Sequence, residues 1–498
     1  MGIPTYTRYL LKSYKNLSIK KINNIDNIFL DFNAFIHPIA HDVFKKHPSS
    51  SKLFIENKII DECYKKVIEL QLLLNPKNLT YISIDGIAPF AKIHQQRSRR
   101  FKSIQETEFD KNAITAGTKF MKKLSNFLKE KFINNDKIII DDDKNIGEGE
   151  HKILQYLRTN DLKSQVNVLC SLDADFFMLG IILFIQGFSD NLYLFREEQD
   201  EDMIKLYTKQ HFIDINNFYE TIILDNKHNY NFDNISFMRD YIFLCFLMGN
   251  DFIPHLYLFE IRFKGIQEIL KIYLNFIDIY KIYLTNENEI IFSNVKKFFQ
   301  FLLIKENSLI EKINYGMKKW HPKTTFKNNE EKKKYNEELL YPVYTPINYS
   351  NKSWKKQYYE KLFKTDYSYT RDIQNISENY LKMLSWNFNY YFGINNFSWR
   401  YYYKYEYSPL LNELINNITT EKYLFDNEKI DSNLQLLSIL PEKSLNLLPK
   451  KCREVYKNKD LNYLFVKNGF NDISFCNMKW QSKIIFYPLD LNLIEQFL

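Results

Sequence analysis

The chain has 498 residues, 45% of them hydrophobic, with a formal net charge of +8. That is ample for a large core and two to four domain-sized units, and it excludes a polycation: an anionic partner would have to be met by a local patch. No apolar run approaches the ~18 residues of a membrane span, no secretory layout opens the chain, and Tyr6 stands where a myristoylation signal needs Ser or Thr, so a soluble globular protein with no membrane partner is expected.

Residues 1–260 read as α/β. The runs "NIFLDFN" (27–33), "LTYISIDG" (79–86), "DKIIIDDD" (136–143), "VNVLCSLDAD" (166–175) and "NLYLFREE" (191–198) are short and rich in β-branched or aromatic residues, and helical-period stretches such as 60–74 and 112–132 lie between them. This alternation predicts a mainly parallel central sheet flanked by helices. Residues 261–353 read as a helical segment followed by a charged, Asn-rich connecting stretch (320–353), for which a solvated helix is the alternative. Residues 354–498 read as an aromatic-rich, mostly helical second part without repeats. Cys63, Cys170, Cys245, Cys452 and Cys476 fall in no zinc or disulfide spacing, which favours a reducing, cytoplasmic setting, the nucleus being the alternative.

Acids end the predicted strands. Asp31 follows "NIFL", Asp85 follows "YISI", and Asp173 and Asp175 follow "VNVLCSL"; in an open parallel sheet the ligand crevice lies outside the carboxyl ends of strands. Two residues apart on extended backbone, Asp173 and Asp175 would point to one side. Glu148 and Glu150 repeat that spacing around Gly149 in "GEGEHKIL", at a helix start, and Asp251 follows another glycine in "FLMGNDFIPHL". Five of the twelve glycines (Gly86, Gly147, Gly149, Gly180, Gly249) lie within five residues of these acids. A lone strand-end Asp is more often a turn former or helix cap, but seven converging carboxylates cannot all stay ionised without counter-charge. Oxygen-only donors favour Mg²⁺, with Mn²⁺ as a substitute, and a pair of such ions can activate water and stabilise the leaving oxygen of a phosphodiester.

Directly after Asp85, "GIAPFAKIHQQRSRRFKSIQE" reads as a helix from about Ala91 that places Lys92, Gln96, Arg99 and Arg100 on one face, a grip for a terminal phosphate; Arg97 points elsewhere and reads as solvated. Lys92 is also a candidate for neutralising charge on the reacting phosphate. His37, six residues after Asp31, is a candidate stacking partner for a nucleobase, with Trp399 in "NYYFGINNFSWRYYYKYEYSP" as its companion.

These stretches resemble one family, the Xrn-type 5′-to-3′ exoribonucleases. The resemblance is carried by "MGIPTYTRYLLKSY", "LDFNAFIH", "IDGIAPFAKIHQQRSRRFKS", "FDKNAITAGTKFM", "GEGEHKI", "LDADFFMLG" and "LMGNDFIPHL", and continues through "YLKMLSWNFNYYFGINNFSWRYYYKYEYSP", "LQLLSILPEKSLNLLPK" and "MKWQSKIIFYPLD". It implies a PIN- or flap-endonuclease-like nuclease core and two magnesium ions held by the seven acids. It also implies a 5′-monophosphate gripped by Lys92, Gln96, Arg99 and Arg100, and single-stranded RNA stacked on His37 and Trp399. A monomer without C-terminal extensions is expected. The chain departs from the family pattern at Glu406, within Tyr405-Glu406-Tyr407, and at Phe397, two positions of the RNA channel that the resemblance implies. Two rival readings remain, a flap-endonuclease-like DNA nuclease and an inactive RNA-binding scaffold. The glycine-poor "FIPHLYLFEIRFKGIQEIL" after Asp251 opposes the first and the full set of acids opposes the second.

Overall fold

Five predicted apolar runs form strands, and two more complete the sheet: β1 (Ser18–Ile19), β2 (Asn27–Asp31), β3 (Leu79–Ser83), β4 (Ile138–Asp141), β5 (Val166–Cys170), β6 (Asn191–Glu197) and β7 (Gln210–Asp214), in the order β1-β7-β6-β5-β2-β3-β4. This is a computed structural model; it describes residues 6–14, 17–102, 109–197, 210–227, 230–320, 328–340, 344–461, 463–465 and 470–498. The first five residues of the N-terminal family stretch, Ser103, and 321–327 and 341–343 of the expected connecting stretch lie outside them.

Strands β2, β3, β4, β5 and β6 run parallel, while β7 is antiparallel to both β6 and β1. The chain winds outward from β2 through β3 to β4, then returns to place β5 on the other side of β2. The winding therefore reverses between β2 and β5, and a ligand crevice is expected at their carboxyl ends.

Helices cover both faces: α1 (Tyr6–Ser13), α2 (Asn33–Lys46), α3 (Lys52–Leu74), α4 (Phe90–Lys102), α5 (Lys119–Phe132), α6 (Gly149–Thr159), α7 (Asp175–Ile185), α8 (Ile215–Lys227) and α9 (Asn234–Phe246). Alternation along the strands sorts their side chains between two cores. Ile28, Leu30, Ile82, Val168 and Cys170 pack under α2, α3 and α5. Phe29, Tyr81 and Leu169 face a larger core that runs from Tyr6 to Ile494 and so draws on every part of the chain.

The second half adds α10 (Gly265–Tyr280), α11 (Phe292–Leu303), α12 (Glu306–Lys319), α13 (Asn329–Leu339), α14 (Trp354–Tyr358), α15 (Thr370–Phe392), α16 (Leu411–Asn417), α17 (Ser432–Ile439) and a small hairpin, β8 (Phe470–Asp472) with β9 (Lys483–Ile485). The expected connecting stretch contains α13, where the Asn328 side chain accepts from the Glu331 N–H at 2.8 Å. Helix α5 starts at Lys119 rather than 112, because the Thr118 hydroxyl caps it and a short 3₁₀ turn (Lys111–Ala113) precedes it. Among the described residues no helix is long and apolar enough to cross a membrane.

Candidate active site

Parallel register brings the strand-end acids to one edge. Asp31 sits opposite Ser83, two residues before Asp85, and the Asp31 carboxylate accepts from the Ser171 hydroxyl at 2.8 Å beyond the end of β5. The strand expected to run through residue 175 stops at Cys170. Ala174 is in the right-handed helical region (φ −70°, ψ −23°) and Asp175 opens α7, so a helix start, not extended backbone, sets Asp175 beside Asp173.

Glu148 precedes α6 and Glu150 lies in its first turn. Between them, Gly149 is required by space: a Cβ there would lie 2.9 Å from Asp31 Oδ1 and 3.2 Å from Asp85 Oδ1. Its N–H donates to Asp85 Oδ1 at 2.7 Å and its carbonyl accepts from the Ser83 hydroxyl at 2.9 Å. Gly249 has φ +80°, and a Cβ would stand 2.6 Å from the His255 nitrogen. Beyond it the Asn250 side chain accepts from the N–H groups of Phe252 and Ile253 at 3.0 and 3.1 Å and donates to Asn387 on α15 at 3.1 Å, which fixes the turn that presents Asp251. Gly180 differs from these glycines: it lets α7 pack on Ile215 of α8, where a Cβ would meet Cδ1 at 2.9 Å, and has no part in the acid cluster.

Asp31, Asp85 and Glu150 each offer an oxygen within 4.8 Å of the other two. Lys92 enters beside them, its ammonium 2.6 Å from Glu148 Oε2, 2.9 Å from Asp251 Oδ2 and 4.0 Å from Glu150 Oε1. Burial opposes the charge of Lys92, but Asp251, Glu148 and Glu150 outweigh it and hold its pKa well above the usual lysine value. For five of the carboxyls the surroundings instead oppose the charged form. Burial, then Asp173 and Asp85, pushes Asp31 well above the usual range, and burial, then Glu148, does the same to Glu150. Asp85 and Glu148 are raised chiefly by burial, and Asp175 is raised to about 7 by burial reinforced by Asp251. One Asp175 oxygen is buried without a hydrogen-bond partner. An oxygen-only donor set, crowded, buried and short of positive charge, fits a hard divalent cation.

Next to the acids lies a cavity of about 250 Å³ lined by Asn33, His37, Asp85, Gln96, Arg99, Arg100, Lys111 and Gln435. Three of the four predicted grip residues therefore meet there, together with His37. Lys92 does not: one turn earlier on α4, its ammonium is drawn to Glu148 and Asp251, so it belongs to the acid cluster. Arg100 is braced by Asn112 Oδ1 at 3.3 Å and the Ile114 carbonyl at 2.8 Å, whereas Arg99 is exposed. Crowding by surrounding atoms, then the charges of Arg100 and Arg99, lowers His37 to about 4, so its solvent-reaching ring is neutral at physiological pH.

Trp399 does not line this cavity; its ring leans on Phe397, with centroids 5.5 Å apart, and its carbonyl accepts from the Phe90 N–H at 2.7 Å. Arg97 is buried rather than solvated, donating to the Leu464 and Tyr487 carbonyls with its guanidinium over the Phe486 ring. Glu406 lies 3.6 Å from His94 Nε2 on α4. A second cavity of about 240 Å³, walled by Tyr257, Tyr358, Tyr407 and Phe475, touches none of the seven acids.

Several supporting residues carry no local sequence signal. Asn33 donates to Asp85 Oδ2 at 2.9 Å, Lys152 ties the Ile84 and Asp142 carbonyls to the start of α6 at 2.8 and 2.7 Å, and the Tyr390 hydroxyl donates to Glu148 Oε1 at 2.9 Å from 242 residues away. Only Asn33, two residues after Asp31, sits where a polar residue at a helix start invites inspection.

An open, mainly parallel sheet with clustered acids at its strand ends defines a PIN-like nuclease fold for the first part of the chain. Residues 1–109 and 104–198 match the family model described as the XRN 5′-3′ exonuclease N-terminus, and residues 229–346 and 344–468 match the Xrn1 helical domain. The chain belongs to the Xrn 5′-3′ exonuclease family. It is 26% identical to 5′-3′ exoribonuclease 1 of Homo sapiens over 92% of this chain and 32% of that protein. It is 28% identical to 5′-3′ exoribonuclease 2 of Arabidopsis thaliana over 63% of this chain and 40% of that protein. It is 23% identical to the 5′-3′ exoribonuclease 2 homolog of Drosophila melanogaster over 90% of this chain and 65% of that protein. The chain thus spans from a third to two thirds of the length of these relatives.

Proposed function

We propose that the protein is a 5′-to-3′ exoribonuclease that hydrolyses single-stranded, 5′-monophosphorylated RNA to 5′-mononucleotides. One observation carries the reading: Asp85 both belongs to the carboxylate cluster and lines the cavity shared by Gln96, Arg99, Arg100 and His37. A terminal phosphate bound by the guanidinium groups would leave the next phosphodiester beside the acids. The names of the relatives, all 5′-3′ exoribonucleases, support the reaction class.

In this reading Asp31, Asp85 and Glu150 hold a magnesium ion, with Asp173 and Asp175 serving a second at the same crevice and Mn²⁺ able to substitute. Bound ions would supply an activated water and stabilise the leaving 3′-oxygen. The chain's own side chains do the remainder. Gln96, Arg99 and Arg100 orient the 5′-phosphate through charge-assisted hydrogen bonds. Neutral His37 offers a flat face to the leading base, with Trp399 further along the strand. Lys92, held by Glu148 and Asp251, keeps positive charge next to the reacting phosphate. Residues 1–260 supply the acids and grip, 261–353 connect, and 354–498 brace them; the protein acts as a monomer. Five free, buried cysteines agree with a reducing, cytoplasmic setting.

The test offers the purified protein end-labelled RNA and DNA single strands bearing 5′-monophosphate, hydroxyl or triphosphate ends, with and without magnesium. Progressive release of mononucleotides from 5′-monophosphorylated RNA, dependent on magnesium, is expected; equal digestion of DNA or internal cleavage would overturn it. Asp175→Ala is expected to abolish digestion while RNA still binds in a gel-shift assay, since losing a direct metal contact should exceed the roughly 10–100-fold effect of an outer-shell change. Near-normal turnover by that variant would remove Asp175 from the metal set.

A further inference from the structure

Both oxygens of Glu148 are taken, as are those of Asp85 and Asp251, but Glu148 alone of these three is held by a side chain from α15. Lys92 occupies Oε2 at 2.6 Å and the Tyr390 hydroxyl occupies Oε1 at 2.9 Å, in a setting that leaves Glu148 only 2% exposed. The three carboxylates that share an approach within 4.8 Å do not include it. We infer that Glu148 acts as the holder of Lys92, and that Tyr390 is a positioning residue that fixes Glu148 and, through it, the electrostatics of the metal crevice. This rests on the proposed reading in which the neighbouring acids bind divalent ions.

Tyr390 can do this because its ring is buried and packed by aromatic neighbours on several sides. It lies tilted over His151 of α6 with centroids 3.7 Å apart, stacks on Trp386 at 4.8 Å, and meets the edges of Phe397 at 5.3 Å and Phe252 at 5.7 Å. Phe252 is the residue after Asp251. Asn387, three residues before Tyr390 and so on the same face of α15, accepts from the Asn250 side chain. One face of a helix from the second half therefore braces both loops that supply the partners of Lys92: Glu148 before α6 and Asp251 after α9.

Removing only the hydroxyl would leave Glu148 Oε1 buried without that donor, which is unfavourable where it cannot relax. The carboxylate would relieve this by turning toward Lys92, its remaining donor among the described residues. A turned Glu148 draws the ammonium away from Asp251, so the counter-charge beside Glu150 and the metal oxygens shifts although no metal-binding side chain has been altered.

The test is Tyr390→Phe, which preserves the ring and its stacking, read by calorimetric Mn²⁺ titration and by steady-state digestion of 5′-monophosphorylated RNA. Expected are Mn²⁺ binding and kcat each reduced about 10–100-fold, the range for residues that tune a metal site without touching the ion, with KM for RNA unchanged. Tyr401→Phe, which removes a hydroxyl bonded to the Asn379 carbonyl in the same half of the chain, should leave both values at wild type. Wild-type Mn²⁺ affinity and kcat in Tyr390→Phe would overturn the inference while leaving the proposed function intact. Loss of kcat with a matching rise in KM would also overturn it, because that marks disturbed RNA binding. A wild-type chain that binds no Mn²⁺ would overturn the proposed function itself and this inference with it.

Discussion

Gly149→Ala separates the chemistry of the crevice from the stability of the fold. The added Cβ would stand 2.9 Å from Asp31 Oδ1, where ordinary contact begins at 3.4 Å, so that oxygen must retreat by about 0.5 Å. Asp31 cannot swing freely, because its other oxygen is bonded to Ser171 at 2.8 Å and the residue is 3% exposed. Overpacking of this kind costs about 1–3 kcal/mol, but replacing glycine in a helical turn returns roughly 0.5–1 kcal/mol, so the net loss of stability is about 0–2.5 kcal/mol. Geometry suffers more. Mg²⁺ demands near-ideal octahedral contacts, and a misplacement of about 1 Å costs on the order of a hundredfold in rate, so a displacement of half that size should cost about tenfold or more. Mononucleotide release from 5′-monophosphorylated RNA would be measured together with Mn²⁺ titration and thermal melting in chelator. The comparison variant is Gly180→Ala, which creates a clash of the same size against Ile215 in the apolar core. Gly180→Ala is expected to lower the melting temperature and keep full activity per folded molecule; Gly149→Ala is expected to lose activity per folded molecule out of proportion to any comparable drop in melting temperature. Full activity with unchanged Mn²⁺ affinity in Gly149→Ala would refute the claim that Asp31 and Asp85 are held at metal-binding distance by the absence of a side chain there.

Arg99→Ala is expected to reduce the preference for 5′-monophosphate over 5′-hydroxyl RNA by about tenfold to a hundredfold, the worth of one charge-assisted hydrogen bond, without changing stability; competition between the two end-labelled RNAs measures it. Arg100→Ala is a less clean probe because it also frees Asn112 and Ile114. Adding Mg²⁺ to chelator-treated protein should raise the melting temperature, since an ion that binds only the folded crevice stabilises it by mass action; an unchanged melting curve at saturating Mg²⁺ would count against the site. Asp240 supplies a pH test away from the crevice. Although Tyr273, Leu284 and Thr285 all donate to it, burial prevails and raises its pKa to about 6. A raised carboxyl favours the folded state at low pH, and that contribution is lost as pH rises from about 4 to about 6, by roughly 3 kcal/mol over two pKa units. The difference in urea midpoint between wild type and Asp240→Asn should therefore change across that window and be flat above it.

The parts of the fold that the sequence disclosed are those with local causes. Runs such as "NIFLD" are buried along their whole length, as central parallel strands must be, and they stand out against helical periods. Strand β1 is two residues long, too short a run to read, and β7 (QHFID) opens on the polar pair Gln210-His211 rather than on a β-branched or aromatic run. Strand ends and glycines mark the acids in the sequence, but the geometry expected for Asp175 was wrong, since spacing alone does not reveal where a strand yields to a helix. Lys92 was misplaced for a related reason. Helical periodicity put it on the face of Gln96, Arg99 and Arg100, but a long side chain near the start of α4 goes where the field is strongest, toward Glu148 and Asp251. Arg97 was misread because its partners, Leu464 and Tyr487, are more than 360 residues away.

The two halves of the chain cannot be treated as a catalytic core with an accessory. Helix α4 carries the basic residues on one side, and on its other side Arg97 donates to the Leu464 and Tyr487 carbonyls, Phe101 meets Phe486 at 5.3 Å and Lys102 donates to the Ser482 carbonyl. Gln435 of α17 lines the basic cavity while its side-chain oxygen accepts from the Ala88 N–H at 2.8 Å, just before α4 begins. Helix α15 grips the acidic loops through Asn387 and Tyr390. Each of these contacts ends on a residue that positions a charge, and each crosses from the second half to the first. The sheet can bring carboxylates to a common edge by register alone, but like charges repel and loops relax. What keeps them converged before any cation arrives is Lys92 inside the cluster and the second half packed behind it. A fragment ending near residue 260 would retain all seven acids, yet it would lose Tyr390, Asn387 and Gln435 and leave the buried faces of α4 and α7 open to water. Such a fragment should neither hold the acids in register nor grip a phosphate.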